Sequence, residues 1–206
     1  MDFRRTYRAA AVSYAELVSR LPVDSDVTFG DWSLRSLVGH TVSSAIRQVP
    51  EALAAPPAEI AVDSPEGYWA LARSAPASLI QAAKAGSDAD ALSTGKQLGD
   101  DPATAVGELI GRATSALAEA GDNDLVATPV GGMRVRDWLP TRTLELVVHG
   151  MDAAGAAGVE FEPPAAAVAE TAAVLARVAA AVGDGPAVIR ALTGRGALPA
   201  GFSVVV

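Results

Sequence analysis

Arg142-Thr143-Leu144-Glu145-Leu146-Val147-Val148-His149-Gly150-Met151-Asp152 lies inside a run from about Arg134 to Ala157. Its spacing predicts one long helix, with Pro140 either in the first turns or marking a kink. Glu145 and His149 are four residues apart, so their Cβ atoms stack roughly 5 to 6 Å from each other on one helix face. One ion can then accept both side chains. The chain has 2 histidines. The other, His40, falls in a second amphipathic stretch, where Ser33 is placed as an N-cap ahead of Leu34, Leu37, Val38, Thr41, Ala45 and Val49, with Pro50 near the end.

Helical periodicity extends over most of the remaining sequence. Tyr7, Ala11, Tyr14, Leu17, Val18 and Leu21 mark a first amphipathic helix from Phe3 that Pro22 stops, and Asp24 to Asp31 form a turn. Ala55 to Pro65 is a Pro- and Ala-rich connection. Glu66 to Lys84 reads as a third helix with Tyr68, Leu71 and Leu79 on its face, and Gly86 to Gly99, which has no period, reads as a loop. Asp101-Pro102 opens a fourth helix to Ala120 that Gly121 ends, and Asp122 to Gly132 is a connector. Two further helices are expected at Ala165 to Val182 and Pro186 to Thr193, and Phe202 to Val206 is a lone edge strand or a tail. Strand signals elsewhere are nearly absent. The expected architecture is all-α: an antiparallel helix bundle over residues 1–160, with a short helical extension over 161–206 packed on it.

Composition narrows the partners. Lys and Arg total 16 against 24 Asp and Glu, for a net charge of -8 with no basic cluster. Counterion release from a phosphate backbone needs a basic face, so neither nucleic acid nor an anionic membrane is an expected partner. With no cysteine, the chain has no disulfide, no thiolate ligand and no cysteine nucleophile, and any thiol chemistry must use a thiol from outside. Arg and Glu are spread through the first residues, which lack an apolar core, so no signal peptide is expected and the cytoplasm is the expected compartment. Ala165 to Val182 carries Glu170 and Arg177 and is too weakly apolar to span a bilayer. Apolar faces of such bundles often make dimers, which leaves a homodimer open.

A His, Glu, His set leaves coordination positions free for water or substrate, as catalytic zinc and non-haem iron sites do, and bundle interiors hold such ligands on facing helices. Spacing alone also fits a hydrogen-bonded core histidine and a solvated Glu-x-x-x-His face. Arg142, three residues before Glu145 on the same face, could hold a substrate carboxylate in a bidentate pair or simply form a salt bridge. Asp152, one turn after His149, could accept from its free ring nitrogen. Trp32 and Trp138 each precede a ligand-bearing segment, as pocket lining or as core. Neither Gly183-Asp184-Gly185 nor Gly194-Arg195-Gly196 has the context of a nucleotide fingerprint, and no Gly-x-Ser-x-Gly or His-Glu-x-x-His pattern occurs.

The stretch Gly30-Asp31-Trp32-Ser33-Leu34-Arg35-Ser36-Leu37-Val38-Gly39-His40 resembles the Trp-x-x-x-x-Leu-x-x-His signature of the mycothiol-dependent maleylpyruvate isomerase family, a branch of the DinB-like metal-binding bundles. The stretch Arg142 to Asp152 is similar to that family's Arg-x-x-Glu-x-x-Val-His-x-x-Asp motif, and Ala191-Leu192-Thr193-Gly194-Arg195 to a motif nearer its C-terminus. The resemblance, over roughly residues 5 to 160, implies a DinB-like four-helix core. It also implies a divalent ion, usually zinc, on His40, Glu145 and His149, mycothiol as cosubstrate and a small-molecule electrophile. The well-studied isomerases of the family carry a longer C-terminal α/β domain, whereas this sequence stops soon after Leu198-Pro199, so substrate contacts made by that domain are not expected of it.

The activity so implied is thiol-dependent isomerisation or S-transfer. A free thiol of pKa near 8.5 is only a few per cent ionised at neutral pH, so holding it as thiolate gains about thirtyfold, roughly 2 kcal/mol, partly offset by lower nucleophilicity. Two alternatives are a metal-dependent hydrolase, in which the ion acts on water instead, and a non-catalytic metal-binding helical protein.

Overall fold

A computed structural model describes residues 2–205. Helix α1 (Phe3–Val18) is capped by the Asp2 carboxylate, which accepts from the Arg5 amide. A short antiparallel pair, β1 (Thr28–Phe29) and β2 (Trp32–Ser33), comes next. Ser33 then caps α2 (Leu34–Val42) through the Ser36 amide, as its position in the sequence predicts. From α2 the chain runs through a π-helical turn (Ser43–Arg47) into α3 (Gln48–Ala54), so the second helix extends past Pro50. The π turn accommodates the proline. The Ala45 carbonyl, five residues earlier and without an N–H at Pro50 to meet it, accepts the Tyr7 hydroxyl at 2.8 Å instead.

Helix α6 (Pro102–Glu119), capped by Asp101, and α7 (Val135–Ala157) complete the four-helix core. In it α1 packs on α6 and α7, α2 packs on α7, and α3 packs on α6. This is the all-α bundle expected from the sequence. Pro140 is accommodated inside α7, which continues to Gly158, a residue whose φ of 64° ends the helix in the left-handed conformation. Helix α8 (Ala165–Ala181) lies along α7 and α1 and sends Ala167, Val174, Val178 and Ala179 into the same hydrophobic core. Helix α9 (Gly185–Leu192) packs on α8, leaving Ile189 and Leu192 exposed. Of the expected terminal strand or tail, Val206 lies outside the described residues. Residues 202–205 form no strand, and Val204 is buried.

Three expectations are corrected. The helix expected from Glu66 to Lys84 is two, α4 (Pro65–Arg73) and α5 (Ala77–Gln97), because Pro76 has no N–H and disfavours helical geometry at Ala75. Only Tyr68 of its expected face is buried, while Leu71 and Leu79 are exposed.

The expected loop from Gly86 to Gly99 is helical as far as Gln97. It shows no apolar period because it packs with small residues: Ala91, Thr94 and Gly95 are its buried positions, set against α2. A methyl group on Gly39 would overlap the Ala91 carbonyl oxygen and the Gly95 backbone, and one on Gly95 would overlap the Arg35 carbonyl.

The connector from Asp122 to Gly132 contains an antiparallel hairpin, β3 (Leu125–Thr128) with β4 (Gly131–Arg134). The turn is Pro129-Val130, and Gly131 has a φ of 111°. Strands this short carry too few residues to display a period of two.

Glu170 is buried on α8 with Oε1 unpartnered, and burial raises its carboxyl pKa despite a hydrogen bond with Thr143. A carboxyl whose folded pKa is raised stabilises the fold below its unfolded value, and that contribution is lost as pH rises through the folded value. Glu170→Gln is therefore expected to stabilise the protein by about 1 kcal/mol at pH 7, with the gain shrinking as pH falls toward the ordinary carboxyl value of 4.5. Urea denaturation at the two pH values measures this. Gly39→Ala is expected to cost more than about 3 kcal/mol, because the bulk meets backbone rather than a movable side chain. A melting temperature indistinguishable from the native one would contradict the close packing of α2 on α5.

Candidate metal centre

His40 stands in the last turn of α2, and Glu145 and His149 stand one turn apart on α7, which packs against α2. The two helices bring Glu145 Oε2 to 3.2 Å from His149 Nε2 and 3.7 Å from His40 Nε2. One ligand atom from each residue lies within 4.8 Å of the others, so the three could hold a metal ion. The imidazoles meet edge to face, their centroids 4.8 Å apart and their planes at 84°.

Each histidine presents Nε2 to Glu145 because its other nitrogen is engaged. His149 Nδ1 lies 3.1 Å from Asp152 Oδ2 on the next turn, and His40 Nδ1 lies 3.1 Å from Ser87 Oγ on α5. A donor set of two imidazole nitrogens and one carboxylate oxygen, with both outer nitrogens occupied, suits zinc and its first-row neighbours and leaves room for an exogenous ligand.

The electrostatics favour charged forms. Burial would raise the Glu145 pKa, but the imidazoles of His149 and His40 beside it and the nearby Arg142 guanidinium outweigh it and hold the carboxyl far below its usual range. Burial would lower the His149 pKa, but hydrogen bonds to Asp152 and Glu145 raise it from 6.5 to about 9.

Arg142 is only 2% exposed. Its Nη1 donates to the Ser44 carbonyl at 2.7 Å and to Gln48 Oε1 at 2.9 Å, and its Nε donates to Thr141 Oγ1 at 3.0 Å. The guanidinium lies over the rings of Tyr68 and Trp138, and Nη2 is buried without a partner. Trp138 is fully buried in the core, whereas Trp32 is half-buried with its ring centroid 4.7 Å from that of His40. The structure thus gathers His40, Glu145, His149, Asp152 and Trp32 at one place and sets Arg142 on the π turn.

Ser44, Ser87 and Asp88 are contacts that sequence reasoning did not find. Ser44 Oγ donates to Glu145 Oε2 at 3.3 Å from within the π turn, and Trp32 Nε1 donates to Asp88 Oδ1 at 2.9 Å. A π turn leaves no mark on hydrophobic spacing. The α5 residues did leave one, since Ser87, Ala91 and Gly95 are small residues four apart.

A family model described as the mycothiol maleylpyruvate isomerase N-terminal domain matches residues 7–154. That span takes in nearly all of the four core helices and every residue of the site, and it leaves α8 and α9 outside. No curated protein and no solved structure matches the chain.

The raised pKa of His149 sets a pH window. A histidine whose folded pKa exceeds its unfolded value stabilises the fold fully below 6.5, and the contribution is lost as pH rises through about 9. Metal-free protein is expected to lose stability as pH rises from 6.5 to about 9, and His149→Gln is expected to lack that part of the slope. Thermal melts of the two proteins across this range measure the difference.

Proposed function

The chain belongs to the mycothiol maleylpyruvate isomerase N-terminal domain family, and on that basis we propose that it is a metal-dependent enzyme using a low-molecular-weight thiol, mycothiol, on a small-molecule electrophile. The reaction is S-transfer or a maleylpyruvate-isomerase-like isomerisation. The observation that carries this reading is the convergence of His40 Nε2, Glu145 Oε2 and His149 Nε2 within 4.8 Å, with the outward nitrogen of each histidine separately held.

His40, Glu145 and His149 would hold a divalent ion, most simply zinc. Bound there, the ion supplies a Lewis acid that favours the thiolate form of a thiol whose pKa is otherwise near 8.5. Glu145 contributes a full negative charge to the ligand set, kept ionised by the two histidines and Arg142. Asp152 accepts from His149 Nδ1, which leaves Nε2 free to bind.

For Arg142, spacing alone allows a grip on a substrate carboxylate. Its burial and its bonds to Ser44, Gln48 and Thr141 support a positioning role instead: it holds the π turn, and with it Ser44, against Glu145, and its charge favours the carboxylate. Trp32, half-buried against the His40 ring, offers an aromatic wall for the thiol or the electrophile. Among the described residues no helix is long and apolar enough to cross a membrane.

Elemental analysis of the native chain beside His40→Ala and His149→Ala, with electrophile turnover measured in the presence and absence of mycothiol, tests the reading. About one zinc per native chain, lost in both variants, with turnover that requires the thiol, is the expected result. A native chain that takes up no zinc from solution would overturn it. Turnover indifferent to the thiol would replace it with metal-dependent hydrolysis.

A further inference from the structure

The two histidines are held by unlike partners. Asp152, on the same helix as His149 and three residues on, offers a carboxylate that can only accept. His40 has no such neighbour on α2. Its Nδ1 meets the hydroxyl of Ser87, 47 residues away on α5, at 3.1 Å, and this is the one side chain bonded to that nitrogen among the described residues.

A hydroxyl both donates and accepts, so it can meet Nδ1 in either tautomer, and it orients the ring to the extent that the helix carrying it is fixed. Several contacts fix it. Ala91 and Gly95, one and two turns beyond Ser87, press α5 against Gly39, the residue before His40, with no space for a methyl group between the backbones. Arg47, at the end of the π turn, bonds Asp90 at 2.7 Å and Thr94 at 2.9 Å. Asp88, the neighbour of Ser87, accepts from Trp32 Nε1 at 2.9 Å and from Lys84 Nζ at 3.0 Å, and the Trp32 ring lies against the His40 ring. Consecutive residues of α5 therefore hold His40 twice, Ser87 directly and Asp88 through Trp32.

We propose that Ser87 is a positioning residue for the metal centre: its hydroxyl, 3.1 Å from His40 Nδ1, holds the imidazole so that Nε2 faces the point where Glu145 and His149 converge. This rests on the proposed metal-binding role of the site. It makes α5 part of the centre even though α5 supplies no ligand, and it gives the close packing of α2 on α5 a purpose beyond stability.

Zinc affinity of the metal-stripped full chain, measured by competition with a chromophoric chelator for the native protein, Ser87→Ala and Ser87→Thr, tests the proposal. Ser87→Ala is expected to bind zinc on the order of 10- to 100-fold more weakly, and Ser87→Thr, which keeps the hydroxyl, to recover most of that loss. The metal-free melting temperatures are expected to stay together, which a purely structural role for Ser87 would not give. Native-like zinc affinity in Ser87→Ala, or a Thr variant as weak as the Ala variant, overturns the proposal while leaving the metal reading intact. A native chain that binds no zinc overturns both.

Discussion

A carboxylate inside a helix bundle must have its charge compensated, and the centre of this protein is organised around Glu145, which is 7% exposed. Compensation comes from both chain-adjacent and chain-distant groups. His149 lies on the next turn of the same helix, His40 reaches across from α2, Ser44 donates from the π turn, and the Arg142 charge stands close by. Removing any one of them leaves the same buried charge with less to balance it. The bundle is thus tied at this point by electrostatics as well as by packing, and the need for a cation beside Glu145 is met in the metal-free state by the proton that His149 keeps up to a pH of about 9, and by a metal ion in the proposed loaded one.

The π turn at Ser43–Arg47 links this centre to the interior of the fold. Widening the helix locally rotates the residues beyond it, so that the Ser44 hydroxyl reaches Glu145 while its carbonyl takes the Arg142 guanidinium. The same widening coexists with Pro50 and leaves the Ala45 carbonyl to Tyr7, deep between α1 and the second helix. A local departure from α geometry therefore serves three demands together: a proline, a buried arginine and a buried carboxylate. Arg142 sits in this arrangement with Gln48, Thr141, Tyr68 and Trp138 around it, which is the setting of a side chain that fixes its surroundings.

On the other side of His40 the packing uses the absence of side chains. Gly39 and Gly95 let α2 and α5 approach until their backbones are nearly in contact, and this closeness brings Ser87 within hydrogen-bond distance of a ring on the neighbouring helix. A longer separation would put water at His40 Nδ1. Helix α5 is otherwise weakly amphipathic and largely exposed, held by this small-residue seam and by the Arg47 and Asp90 ion pair.

Elements whose information is local were legible in the sequence alone. Periodic apolar residues marked α1, α2, α6, α7 and α8, Ser33 and Asp101 announced their helices as caps, and the spacing of four placed Glu145 and His149 on one face. His40 was recognisable as a candidate from its histidine-poor context and from the family signature around it. Periodicity misled where burial was achieved without large apolar side chains, as in α5, and where the element was too short to show a period, as in the β3 and β4 hairpin. Three features came from the tertiary arrangement instead: Arg142 turns to the Ser44 carbonyl, Ser87 meets His40, and Trp138 is core while Trp32 borders the site. Each of these depends on the distance and rotation between two helices. Those quantities are set by the summed packing of residues far apart in the chain, and no window of sequence contains them.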